Sequence, residues 1–223
     1  MSYRRWVLVA VILFGIGLVV GLTTPAGITS LLSGEISALR ELAGFIVPFS
    51  FLTFILIFIK NVSSLLISFV LSPVLCLIPV LSLVINGWII AFVSTLAARE
   101  ESLGFVFAGL APHGIFELPA FIMGQAAALS FGAAAILAFV EKEKRNLLLS
   151  ILRQDFRHLL LALILFLFFG LFHAIIIVAL LKRESRDLVL PNLNQSLKYF
   201  LIAIVLLLPA AIIETYITPL LLT

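Results

Sequence analysis

Long apolar runs separated by short polar breaks set the pattern of this chain. Trp6 to Leu22 holds 17 residues without a charge, just enough for a helix rising ~1.5 Å per residue to cross ~30 Å of hydrocarbon. Thr23 to Leu42 is polar and broken by Pro25, Gly27 and Gly34. Ile28, Leu31, Leu32, Ile36 and Leu39 recur there at near-helical spacing, which predicts a short surface helix. A second span is predicted over about 43–59, tolerating Pro48 and stopping at Lys60-Asn61. Val62 to Ala98 then runs 37 residues without a formal charge. One straight helix of that length measures ~55 Å, nearly twice the hydrocarbon thickness. The run must bend, break or turn back, and Pro73, Pro79 and Asn86-Gly87 mark the weak points. Arg99-Glu100-Glu101 closes it at a membrane surface. Leu103 to Val140 repeats the same anatomy, with Pro112 and Pro119 as its paired prolines.

Residues 141–157 are the most charged segment, and Leu148, Ile151, Leu152 and Phe156 share one helical face within it. That pattern predicts an amphipathic helix over about 143–157, lying on an anionic leaflet. A fifth span is predicted over 159–181, a polar loop over 182–198 around Pro191, and a sixth span over about 197–217. The expected fold is therefore all-α: a single transmembrane helical domain over residues 1–223. It is a polytopic bundle of about six spans (6–22, 43–59, 62–98, 103–140, 159–181 and 197–217). Prolines interrupt the third and fourth.

Composition removes the soluble alternatives. Of 223 residues 63% are hydrophobic and only 11% charged, against roughly a quarter charged in soluble domains. The net charge of +3 is loop asymmetry and not a nucleic-acid footprint, so the lipid bilayer is the partner and no nucleic acid is expected. Six spans with a cytoplasmic start put Arg4, Arg5, Lys60, Lys142, Lys144, Arg145, Arg153 and Arg157 inside. Arg40, Lys182, Arg183, Arg186 and Lys198 fall outside, where Glu35, Glu41, Glu184 and Asp187 nearly balance them. This bias predicts a multi-pass protein of the cell membrane with both termini cytoplasmic. The first apolar run is too long for a signal h-region and is read as a retained helix. Cys76 is the only cysteine, so no disulfide forms within the chain.

Four ionisable groups fall at membrane depth: His113, Glu117, His173 and Glu214. His113 and Glu117 are the only ionisable side chains between Leu103 and Val140, and their i, i+4 spacing puts them on one helical face. A charged group at the centre of a span costs ~2.5–3.5 kcal/mol or more, so such groups face a partner or water. Asn86 is the best uncharged addition to the set. Several readings stay open. The groups can hydrogen-bond each other and the carbonyls that proline frees. They can bind an ion or pass a proton where interrupted segments meet. They can hold a metal, with His113, Glu117 and Glu214 as its ligands, for hydrolysis. Against hydrolysis, no His-Glu-x-x-His occurs, and Glu100-Glu101 is followed by Ser-Leu-Gly-Phe, which fails the prenyl-protease-like pattern. The sequence requires no cofactor and assigns no catalytic residue. Ala120, Gly124, Ala128 and Gly132 repeat every four residues, a small face open to close packing by another helix, a partner protein or a second copy.

Phe58-Ile-Lys-Asn61, Asn86-Gly87, Pro112-His-Gly-Ile-Phe-Glu-Leu-Pro-Ala120 and Glu214-Thr-Tyr-Ile-Thr-Pro219 together resemble the stage II sporulation protein M family, over roughly Ile59 to Pro219. The resemblance implies a small polytopic membrane protein of a kind found in bacteria and archaea. In spore formers it implies a scaffold for cell-wall hydrolases during engulfment. It makes His113, Gly114, Glu117 and Glu214 this chain's copies of the family's marked positions. Lys60-Asn61 stands where the family has two asparagines, and Gly124-Gln-Ala-Ala where it has Gly-Ala-Ala-Gly. The function expected is a non-enzymatic scaffold or partner-binding membrane component with a buried His/Glu cluster. An ion- or proton-coupled transporter or channel is the alternative, and a membrane-embedded metal-dependent hydrolase the third.

Overall fold

The structure is a computed structural model, and it describes residues 2–25, 47–73, 76–140 and 183–222. The described residues are helical apart from short turns and contain no strand. In chain order they form α1 (Tyr3–Thr23), α2 (Phe51–Leu71), α3 (Leu77–Glu100), α4 (Leu103–Val140), α5 (Arg183–Tyr216) and the short α6 (Thr218–Leu221). The first five are long and apolar enough to cross a membrane, so the chain is an all-α polytopic membrane protein. The predicted amphipathic helix over 143–157, the predicted span over 159–181 and most of the polar stretch after Pro25 lie outside the described residues.

Local chemistry explains the helix ends. At the end of α1 the Thr23 hydroxyl donates to the Val19 and Val20 carbonyls and Thr24 donates to Val20, so side chains satisfy carbonyls that Pro25 cannot. α2 starts after Ser50, with the Thr53 hydroxyl bonded to the Val47 carbonyl at 2.7 Å. Ser102 caps α4: its Oγ accepts the Phe105 amide at 3.1 Å.

The structure differs from the sequence expectation in four places. The second span does not stop at Lys60-Asn61; α2 runs through both to Leu71. A lone lysine reads as a membrane surface, but its long stem lets an ammonium sit beside a helix that continues. The run 62–98 is consequently not one interrupted span. Its first ten residues complete α2, Ser72, Pro73 and Cys76 are turn residues, and α3 begins at Leu77. Cys76 takes φ 53° in that turn and its amide bonds the Ser72 carbonyl.

The expected interruption of the fourth span is absent as well. α4 is one helix of 38 residues with Pro112 and Pro119 inside it. Each proline costs about 3 kcal/mol in a helix interior. Opening the helix in hydrocarbon strands several backbone groups at several kcal/mol each, so continuity wins. At ~57 Å, α4 exceeds the bilayer core even with a ~40° tilt, so part of it projects beyond the hydrocarbon. Of its apolar window 67% is buried, against 22–33% for the other four, so α4 is the most buried of the five. Likewise the loop expected over 182–198 is helical from Arg183 onward. Leu193, Ser196, Phe200, Ala203 and Leu207 are buried at helical spacing, and that packed face carries the helix through the polar stretch.

The chain divides into two compact units. One comprises Met1–Ala10, Ser63–Ser82 and Phe121–Ala203. Its core stacks Phe69 on Phe131 with ring centres 5.1 Å apart, and sets Phe200 against Phe69 at 4.7 Å. Tyr3 stacks on Tyr199 and donates to the Met123 carbonyl at 2.8 Å. The small face of α4 is used here. Gly124 lies against Leu65, and Gly132 against the Ser72 carbonyl and Cys76. Ala128 is fully buried. The face that the sequence offers to a partner or second copy is thus covered by α2 and the turn after it.

The other unit comprises Val11–Val62, Leu83–Ala120 and Ile204–Thr223. Here α1 and α3 cross on glycine. A Cβ at Gly17 or Gly21 would overlap the Val84 or Trp88 carbonyl, and one at Gly87 the Phe14 carbonyl. The Trp88 indole donates to Thr24 Oγ1 at 2.9 Å beside this crossing. The candidate site lies in the same unit.

Candidate functional site

Two helical turns of α4 supply the first pair. Spacing of four residues stacks His113 and Glu117 on one face, with His113 Nε2 3.8 Å from Glu117 Oε2. The end of α5 supplies Glu214. One ligand-type atom from each of His113, Glu117 and Glu214 lies within 4.8 Å of the others. The chain then passes Ile217 into α6, whose first residue, Thr218, sets Oγ1 3.3 Å from His113 Nδ1. From α2, Asn61 Nδ2 donates to Glu117 Oε1 at 3.0 Å. Lys60, exposed on α2, acts electrostatically on Glu214.

The site is half-buried: 15% of the His113 side chain and 28% of the Glu117 side chain are exposed. Two carboxylates within 4.8 Å repel by roughly 3 kcal/mol at the effective dielectric of a protein boundary. That repulsion requires positive charge. A proton, an imidazolium at His113, the Lys60 ammonium or a bound cation can each supply it. Chemically the arrangement is one nitrogen and two carboxylate donors converging from two helices, a set that suits a proton or a metal cation.

Of the residues singled out by sequence, His113, Glu117 and Glu214 come together. Asn86 is half-buried on α3, next to Gly87 at the α1 crossing. His173 lies outside the described residues. The amide held by Glu117 belongs to Asn61, which sequence reasoning used as a helix stop and in the resemblance but not as a site residue. The segment Phe58-Ile-Lys-Asn61 was its one signal. Thr218 likewise lies in the segment Glu214–Pro219, which marked it in the resemblance and not as a partner of His113. Gly114 is buried, but among the described residues an added Cβ would meet only Leu118 at 4.0 Å, and no close approach there explains the glycine.

A second polar set, in the first unit, escaped the sequence reading. Gln125 is fully buried on α4, and its amide donates to Ser68 Oγ at 3.1 Å and Ser82 Oγ at 2.9 Å. Among the described residues its Oε1 has no hydrogen-bond partner.

The family model of stage II sporulation protein M matches residues 10–219 of this chain, nearly its whole length and all of the site. No curated protein and no solved structure matches it.

Proposed function

The chain belongs to the stage II sporulation protein M family and is an integral, multi-pass membrane protein; from that premise we propose that it is a non-enzymatic scaffold or partner-binding component of the membrane. In this reading the His113–Glu117–Glu214 cluster ties helices α4 and α5 together, with Asn61 tying in α2. The observation that carries it is the convergence of three ionisable side chains within 4.8 Å. Each would be costly alone in an apolar setting; held around one shared positive charge, they fix the register of the helices that bear them. Partners then dock on surfaces other than the small-residue face of α4, which is packed within the chain. Both termini on the cytoplasmic side and residence in the cell membrane belong to the same reading, from the distribution of basic residues.

A second reading draws on the exposure of 15% and 28% at His113 and Glu117. Partial access lets the same cluster serve as the ion or proton site of a transporter. Proteoliposomes holding the full chain separate the two. The scaffold reading predicts no proton or cation flux from the unmodified protein. It also predicts a lowered Tm for Glu117→Leu, which strips the Asn61 amide of its acceptor. A flux that Glu117→Gln abolishes while Tm holds would establish the transporter instead.

A further inference from the structure

Resting on the tie just described, we propose that His113 Nε2, Glu117 Oε2 and one carboxylate oxygen of Glu214 bind a single divalent transition-metal cation. The geometry separates inner atoms from outer ones. The outer atoms are engaged: Nδ1 of His113 by Thr218 at 3.3 Å, and Oε1 of Glu117 by Asn61 at 3.0 Å. The inner atoms, Nε2 and Oε2, face each other at 3.8 Å, too far apart for a hydrogen bond. Bonds of ~2.0–2.2 Å to one cation separate two ligand atoms by ~3–4 Å, depending on their angle. The observed 3.8 Å already falls in that interval. The Glu214 oxygen, within 4.8 Å of both, needs to close by about an ångström at most.

Outer partners of this kind characterise metal ligands. A ligating imidazole has its other nitrogen bound, and a ligating carboxylate has its free oxygen held by a donor. Charge points the same way. Two carboxylates and a neutral imidazole carry −2, which a divalent cation cancels in an apolar setting. The imidazole favours Mn²⁺, Fe²⁺ or Zn²⁺ over Mg²⁺ or Ca²⁺, which take oxygen donors. The exposed Lys60 ammonium adds positive charge that acts on Glu214, so it opposes the cation.

The test uses the full chain, purified in detergent, stripped with chelator and dialysed against ZnCl₂ or MnCl₂ alone. Metal per chain is read by mass spectrometry and Tm by calorimetry. About one metal per chain is expected, with a Tm that rises on loading. Glu214→Gln and Glu117→Gln should each lose stoichiometric binding. Asn61→Ala should bind ~10–100-fold more weakly, and Lys60→Met more tightly. Where a variant fails to fold, the metal-dependent Tm of the unmodified chain decides. A folded chain that takes up no metal and shows no Tm response overturns this inference and leaves the scaffold reading standing. So does binding that survives in the Glu117→Gln/Glu214→Gln pair. Flux from the unmodified protein overturns the scaffold reading and leaves the metal site in place.

Discussion

His113 and Glu117 sit one turn apart on α4 with Nε2 and Oε2 3.8 Å from each other, while Thr218 and Asn61 hold their opposite atoms. Two helices outside α4 and α5 therefore aim these side chains. Removing the aim should be felt in stability. Asn61 is 9% exposed, and Asn61→Ala should cost about 1–3 kcal/mol by leaving Glu117 Oε1 without its donor. Asn61→Asp should cost more, because a third carboxylate then faces Glu117. Chemical denaturation in detergent micelles measures both.

The α1–α3 crossing predicts a sharp contrast among glycines. Gly17→Leu and Gly87→Leu place side chains on the Val84 and Phe14 carbonyls and should cost about 1–3 kcal/mol or more, as overpacking does. Among the described residues, no heavy atom lies within 4 Å of a Cβ added at Gly15. Gly15→Ala should be neutral or stabilise by up to ~1 kcal/mol through helix propensity. Thermal unfolding of the three variants side by side checks the seam.

Phe69 is fully buried and touches rings on two helices, Phe131 and Phe200. Phe69→Ala should cost about 3–5 kcal/mol by transfer and cavity terms. Exposed Phe51 should tolerate the same change within ~0.5 kcal/mol. The comparison is again a pair of unfolding curves.

Gln125 supplies two donors and strands one acceptor. Gln125→Leu should destabilise by about 1–3 kcal/mol while Ser68 keeps its hydroxyl. Adding Ser68→Ala to it should recover part of that loss, because an apolar pair of similar shape replaces a broken polar one. A double-mutant cycle gives the coupling directly.

The sequence made the class of molecule plain, because apolar runs of this length have no soluble use. It also singled out His113, Glu117 and Glu214, since carboxylates and imidazoles in such runs stand out. What misled was punctuation. Lys60 read as a surface and Pro112 as a break, yet α2 and α4 pass through both. The solvent decides this: away from water a helix keeps its backbone bonds through residues that end it in a soluble protein. That same error hid Asn61, which a span ending at 59 would have left in a loop. Gln125 was hidden differently, since one amide among alanines carries no signal until Ser68 and Ser82 are brought beside it.

The central claim is that Glu117 on α4 and Glu214 on α5 meet in one cluster, and a double-mutant cycle of Glu117→Gln and Glu214→Gln tests it most directly. Unfolding free energies of the two single variants and the double are measured at fixed pH and metal concentration. Side chains within 4.8 Å should give a coupling of about 0.5–3 kcal/mol, of either sign according to the charge bound between them. Effects that add to within ~0.5 kcal/mol would place the two carboxylates apart and contradict the account.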